Sequence, residues 1–504
     1  MGRLITFFLL ISTSQALSWV SPFSLLRYRY PIESLIKTNS LIPKDWHLTD
    51  YRDDLLIGIN AKDYELTYPE PKNNPPIVVA IIDTGVQIEH PDLQGKIWTN
   101  QNEIPNNGYD DDGNGYIDDY HDWNFLGKQD YDSSEIVRRA QYLIKNNHNS
   151  PELIELKSII QTKRDNLLYK FEKLRQDHTI YQTSLNAIQQ NSSTNLDIFK
   201  TAIEKLEKKY GTYQNLNKLL KNTQNKLKYV YNLNYKQSSI DFFSGNEKVN
   251  LGPNLVHGTH VAGIIAAIKE NQIGINGIAT NVKIMPLKAI PIGAERDEKI
   301  AQAINYAIDH NAKIINLSFN KYLQENNYFL VQRAIERAQK KDILIVHSAG
   351  NESLNLDNTI QFPYFKNLRT NKSFDNWISV GATGPHKDES LIAHFSNYGK
   401  YSVDIFAPGV DITSLGIDNN IIFSGTSMSA PIVSACAAVL LNYAPDLKPK
   451  QLKKILLDSG NKILNLRINN KYFTEYSRSG KIINLKAALN ELYSNPIYEK
   501  YLDH

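Results

Sequence analysis

The chain has 504 residues, a formal net charge of +3, and is 41% hydrophobic and 22% charged. Such a composition can bury a large core, which excludes global disorder, and so small a net charge gives no general attraction to nucleic acid or to a membrane surface. One cysteine, Cys436, excludes an intramolecular disulfide; in its apolar surroundings it reads as a small core residue.

The first residues, MGRLITFFLLISTSQALS, have the order of a secretory signal. Arg3 supplies a positive start, Leu4 to Ile11 an apolar stretch, and Ser14 and Ala16 a small-residue cleavage site. The expectation is a signal over 1–17 and export to an extracellular or periplasmic location. No later stretch approaches the roughly 18 apolar residues of a membrane span, so no transmembrane anchor is expected. Residues 18–75 are mixed and loop-like, and read as an N-terminal extension or short prosegment.

The run PPIVVAIIDTG (75–85) is apolar without alternation, which fits a strand covered on both faces. An acidic stretch follows, NEIPNNGYDDDGNGYIDDYHDW (102–123). Asp110, Asp112, Asn114 and Asp118 have the spacing of the opening of a calcium loop, and Gly115 permits its sharp bend. His121 stands at the twelfth position in place of Glu, which rules out a regular EF-hand. Crowded carboxylates repel one another unless a hard cation lies between them; the other reading is a solvated acidic turn. Calcium would also supply the clamp that an exported chain without disulfides lacks.

Residues 133–240 break the pattern, with 18 Lys and Arg against 9 Asp and Glu, a local charge of +9. Leu153, Ile160, Leu167, Leu174, Tyr181 and Ile188 recur every seven residues. So do Leu206, Tyr213, Leu220 and Leu227, after the polar stretch QNSSTN (190–195). Two such stripes predict an inserted antiparallel helical hairpin. It is either an arm on which a partner docks or a solvated insertion held by its own seam.

Beyond it, VHGTHVAGIIAAI (256–268), DEKIAQAINYAIDHN (297–311) and NYFLVQRAIERAQKK (327–341) read as helices. VKIMPLKAI (282–290), KIINLSF (313–319), DILIVHSAGN (342–351) and NWISVGAT (376–383) read as buried strands. This alternation predicts an α/β fold on a parallel sheet with right-handed crossovers, with the chemistry beyond the carboxyl ends of the strands. FSGTSMSAP (423–431) then opens the apolar run IVSACAAVLL. Gly425 is expected to allow a tight turn and close approach of a substrate. Ser427 is expected at the positive end of the helix, and Pro431 in its first turn. Residues 491–504 read as a C-terminal tail.

Four segments combine into a chemistry. A serine hydroxyl attacks a peptide bond only if a neutral imidazole takes its proton. A carboxylate must orient that imidazole, and fixed donors must meet the oxyanion. Asp83, His257, Ser427 and Asn351 offer these groups, each at the end of a predicted strand or the start of a predicted helix.

VAIIDTGVQIEHPDL (79–93), HGTHVAGIIAA (257–267) and GTSMSAPIVSA (425–435), in that order, resemble the three signatures of the subtilisin-like serine endopeptidases, the subtilases; subtilisin is the standard example of this order. The resemblance covers residues 76–490 apart from the 133–240 insertion. It implies a three-layer α/β sandwich with a central, mostly parallel sheet, acting on protein or peptide substrates. It implies that Asp83 orients the base, His257 is general base and then acid, Ser427 is the nucleophile and Asn351 the side-chain oxyanion donor. It also implies an extended substrate pairing with backbone near Asn316, Leu317 and Ser318. Phe319-Asn320 follow where many relatives have Gly, which leaves the width of the adjoining pocket open. The acidic stretch is similar to one that follows the Asp motif in a bacterial subgroup of the family. Two rival readings stand beside this one. One is a catalytically silent scaffold that holds a partner through the insertion, and the other is a processing protease dedicated to one partner docked there.

Overall fold

The computed structural model describes residues 42–50, 55–71, 73–146, 149–189, 196–235, 245–323 and 327–502. The expected signal over 1–17 lies outside them, as do the first part of the expected extension and the polar stretch 190–195.

The strands in chain order are β1 (Ile77–Asp83), β2 (Trp123–Asn124), β3 (Val282–Lys288), β4 (Ile314–Leu317), β5 (Leu344–Ser348), β6 (Trp377–Thr383), β7 (Ile405–Pro408), β8 (Ile412–Ser414), β9 (Ile421–Phe423), β10 (Asn461–Lys462), β11 (Arg467–Ile468), β12 (Lys471–Tyr472) and β13 (Lys481–Ile482). Nine form one sheet in the order β10-β13-β7-β6-β5-β4-β1-β3-β2, while β8–β9 and β11–β12 pair separately. Within the sheet every pairing is parallel except β10 with β13.

Among the described residues, ten helices of ten or more residues accompany them: α1 (Glu135–Lys145), α2 (Pro151–Gln189), α3 (Leu196–Tyr210), α4 (Tyr213–Asn225), α5 (Val256–Ala266), α6 (Asp297–Asp309), α7 (Tyr328–Lys340), α8 (Thr426–Tyr443), α9 (Pro449–Asp458) and α10 (Leu485–Ser494). Helices cover both faces of the sheet. Val79 and Ile81 of β1 join one apolar cluster with Val261 and Ile264 of α5 and Ile432 and Val439 of α8. Ala80 and Ile82, pointing the other way, join a second cluster with Ile300 and Ile304 of α6 and Val331 and Ile335 of α7. Successive residues of one strand thus feed opposite cores, which is why its sequence is a continuous apolar run. The result is the three-layer α/β sandwich that the sequence predicts.

Helix α8 is long and apolar enough, by length and composition, to cross a membrane, a feature the sequence reading missed; 94% of it is buried inside the fold. The described residues between 42 and 71 pack onto the sandwich. Trp46 and Tyr64 are fully buried, and Trp46 Nε1 donates to Val410 O at 3.2 Å.

Between β2 and α5 stand α1 to α4. Helix α2 runs for 39 residues, and α3 and α4 return along it. The Tyr181 hydroxyl donates to Glu207 at 2.6 Å, the Tyr210 hydroxyl to Asp177 at 2.6 Å, and Arg164 Nη1 to Leu227 O at 2.8 Å. As one chain position rises the other falls, so the pairing is antiparallel. The second heptad stripe had suggested a single returning helix; the structure breaks it at Gly211, whose φ of 81° ends α3. Thr212 then caps α4 by accepting the Asn215 N–H at 3.2 Å.

Candidate active site

β1 lies between β3 and β4; the chain leaves β1 toward β2 on one side and leaves β4 toward β5 on the other, so the crevice beyond the carboxyl ends of β1 and β4 is the switch point of the sheet. Asp83 is the last residue of β1 and His257 the second of α5. Their approach depends on Gly258, where a Cβ would lie 2.2 Å from Gly85 O. His257 Nδ1 stands 2.8 Å from Asp83 Oδ1. The same oxygen accepts the Thr84 N–H at 2.7 Å and the Thr84 hydroxyl at 3.1 Å. Burial disfavours the imidazolium, but the charge of Asp83 and its hydrogen bond favour it, and the balance raises the His257 pKa above 6.5. His260, one turn on, is fully buried against Ile412 O at 3.0 Å. Burial holds its pKa down at about 3, so it serves the packing.

Ser427 is the second residue of α8. Its hydroxyl donates to Ser318 O at 3.0 Å, and the Ser318 hydroxyl donates to Ser427 O at 2.9 Å. The Ser427 carbonyl is open to Ser318 because Pro431, four residues on, has no N–H to offer it. Pro431 therefore sits inside the helix, in its second turn, and not in the first turn as expected. In this arrangement the Ser427 hydroxyl bonds Ser318 and not His257.

Asn351 follows β5 and reaches the mouth of α8. Its Oδ1 accepts the Thr426 N–H at 2.9 Å and the Thr426 hydroxyl at 3.0 Å, which fixes the amide beside Ser427. Gly425 does not make the tight turn expected of it. Its φ of 163° is extended backbone, and a Cβ there would meet nothing nearer than the Asn351 amide nitrogen at 3.6 Å. What glycine preserves is open space next to that amide.

The expected substrate-pairing residues divide. Asn316 and Leu317 lie inside β4, paired with β1 on one side and β5 on the other, so neither offers a free edge. Asn316 acts through its buried side chain, donating to Ser318 Oγ at 2.9 Å and accepting from Ser434 Oγ at 2.9 Å. Leu317 belongs to the apolar core. Only Ser318, one residue past the last paired position, presents its carbonyl to the crevice. β4 is an interior strand, which its sequence alone does not reveal.

The acidic stretch also rearranges the expected ligand set. Glu103, Asp112 and Asp119 each place a carboxylate oxygen within 4.8 Å of the other two. Of Asp110, Asp112, Asn114 and Asp118, only Asp112 belongs to this group. Asp110 accepts the N–H groups of Asn114 and Gly115 at 3.0 and 2.8 Å. Asp118 accepts those of Asn107 and Gly108, both at 2.9 Å. Asn114 turns its amide nitrogen to Asp119 at 3.0 Å. Glu103 is 4% exposed, and its Oε2 has no hydrogen-bond partner. Sequence reasoning missed Glu103 because it lies outside the alternating Asp pattern. The group can hold a hard cation, and the Tyr306 hydroxyl, donating to Asp119 at 2.7 Å, links it to α6.

The profile of the subtilase family matches residues 75–474, and the chain belongs to that family. Among its relatives, the "Cell wall-associated protease" of Bacillus subtilis (strain 168) is 35% identical over 232 residues, 44% of this chain and 24% of that protein. The "Thermophilic serine proteinase" of Bacillus sp. (strain AK1) is 39% identical over 186 residues, 36% of this chain and 42% of that one. "Subtilisin DY" of Bacillus licheniformis is 32% identical over 203 residues, 40% of this chain and 68% of that one. The chain thus spans about a quarter of the first relative's length and under half of the second's.

Proposed function

We propose that the chain is an exported serine endopeptidase that hydrolyses protein or peptide substrates through an acyl-enzyme, with Asp83, His257 and Ser427 as its triad. The observation that carries this reading is the 2.8 Å contact of His257 Nδ1 with Asp83 Oδ1. By accepting from Nδ1–H, Asp83 leaves Nε2 free to take a proton. In the resting arrangement the Ser427 hydroxyl is given to Ser318 O. A substrate N–H that takes this carbonyl releases the hydroxyl to His257. As Nε2 takes the proton, Oγ bonds to the carbonyl carbon and the carbonyl electron pair moves to oxygen. The Ser427 N–H and Asn351 Nδ2 donate to that oxyanion, in the space left open by Gly425. Collapse breaks the C–N bond, and His257 passes its proton to the departing amine. Water then repeats the sequence on the acyl-enzyme and regenerates the serine. The test is Ser427→Ala assayed on a generic protein substrate. Hydrolysis is expected to vanish, and its persistence would remove Ser427 from the mechanism.

Glu103, Asp112 and Asp119 suit calcium in charge and ligand type, and the unpartnered Glu103 Oε2 supports a cation there. Glu103, Asp112 and Asp119 would hold such an ion, which would offset most of their charge, and the Tyr306–Asp119 bond would carry that stabilisation to α6. The order of charged, apolar and small residues at the start of the chain supports export. N-terminal sequencing of secreted protein checks that; a mature chain still beginning at Met1 would overturn it.

A further inference from the structure

The loop after β4 touches the proposed site at one end and the base of α1 at the other. Ser318 exchanges two hydrogen bonds with Ser427. Four residues on, Tyr322 is 7% exposed. Its hydroxyl donates to Glu352 Oε2 and accepts from Asn397 Nδ2 at 2.8 Å. The same Glu352 oxygen accepts the Asn351 N–H at 2.8 Å. Asn397 completes the frame by accepting the Glu352 N–H at 3.1 Å and donating its own N–H to Gly350 O at 2.9 Å. The backbone that aims the Asn351 side chain is therefore held by one carboxylate oxygen, to which the Tyr322 hydroxyl donates and, at 3.1 Å, Asn397 Nδ2 as well.

The far side of the loop is anchored just as closely. Glu135, the first residue of α1, is 3% exposed, and its Oε2 accepts the N–H groups of Tyr322 and Leu323 at 3.1 and 3.2 Å. Leu323 packs against an apolar cluster built from Ile136 and Val137 of α1 and Leu153 and Leu156 of α2. Lys321 pairs with Asp297 at 2.8 Å, both side chains nearly buried.

We infer that Tyr322 is a positioning residue for Asn351, and that Glu135, at the base of the helices between β2 and α5, keeps Tyr322 in place. The inference rests on the proposed role of Asn351 as oxyanion donor. Without the phenol hydroxyl, Glu352 loses a donor and the freedom it gains passes to the Asn351 peptide. A donor displaced from where the oxyanion forms costs transition-state stabilisation and leaves ground-state binding alone. The loss therefore falls on kcat and spares KM.

Tyr322→Phe keeps the ring and removes the hydroxyl. Its kcat is expected to fall about 10-fold, a fraction of the loss of a whole oxyanion donor, with KM within about twofold. Glu135→Gln retains an acceptor for the two N–H groups and is expected to keep most activity, whereas Glu135→Ala shows the Tyr322→Phe pattern. The deciding comparison is made in an Asn351→Ala background, where Tyr322→Phe should change kcat no further even if it lowers thermal stability. Wild-type kcat in Tyr322→Phe, an effect on KM alone, or the same fold-loss in the Asn351→Ala background would each overturn the inference. If the wild type itself neither hydrolyses protein nor reacts with a serine-directed phosphonate, the protease reading fails and this inference with it. If the wild type reacts normally and Tyr322→Phe is silent, only the positioning role is lost.

Discussion

Asp83 and Asp122 are both buried carboxylates, 2% and 1% exposed, and they sit in opposite surroundings. Asp83 Oδ1 receives a backbone N–H, a hydroxyl and an imidazole N–H. Oδ2 of both carboxylates has no hydrogen-bond partner, but around Asp122 burial, with Glu89, Asp119 and Glu247 nearby, pushes the carboxyl well above the usual carboxylate range. One carboxylate is supplied with donors from within the chain and is fit to orient a base. The other lies in a loop crowded with carboxylates, where Lys248 Nζ stands 3.6 Å from Glu247 and His310 Nε2 3.7 Å from Asp119, and the neighbouring Glu103–Asp112–Asp119 group repeats the theme. Burial of a charge demands compensation. The fold provides it at the first place, and at the second the proposed cation would supply it.

That contrast can be broken most severely at Asp83. Asp83→Asn keeps the shape and removes the charge, and kcat is expected to fall about 10⁴-fold as the imidazole loses its oriented tautomer. A loss below about tenfold would separate Asp83 from the base. Asn351→Ala comes next, with an expected loss of about 10²–10³ in kcat, read by steady-state kinetics; an effect on KM alone would make it a binding residue. A smaller effect concerns pH. His257 must be neutral to act, and its pKa is raised above 6.5. The kcat/KM of the wild type should therefore climb with pH through a limb lying above 6.5. In Asp83→Asn both raising influences vanish while burial remains, so the residual activity should show its limb displaced to lower pH. A limb that stays put would mean that another group titrates. The mildest test lies at the acidic loop. Chelation should lower the melting midpoint by about 5 °C or more, and Glu103→Gln should remove most of that difference. A midpoint indifferent to chelator would leave the loop a solvated turn.

Much of this was legible in the sequence because it is local. A strand buried on both faces writes itself as an unbroken apolar run, as in residues 77–83; Asp83 ends that strand, Asn351 follows another by three residues, and His257 and Ser427 are each second in a helix. What escaped depends on neighbours far away in the chain. Asn316 and Leu317 look like an available edge until β1 and β5 are seen on either side. Pro431 looks like a first-turn residue until Ser318 is found on the carbonyl it leaves free. Glu103 escaped because its place in the cation group is set by how the loop folds back, while the alternating Asp pattern pointed to residues whose carboxylates cap the loop's own N–H groups. Gly211 is the exception, a local signal passed over because the heptad stripe ran through it.

The central claim is that the side chains of Asp83, His257 and Ser427 form one reacting unit. It is tested most directly by mass spectrometry of the protein after exposure to a serine-directed phosphonate. The account predicts one adduct per chain, carried by the peptide containing Ser427, absent in Ser427→Ala and formed far more slowly in Asp83→Asn. An adduct on another residue, or one formed as fast in Ser427→Ala as in the wild type, would contradict it.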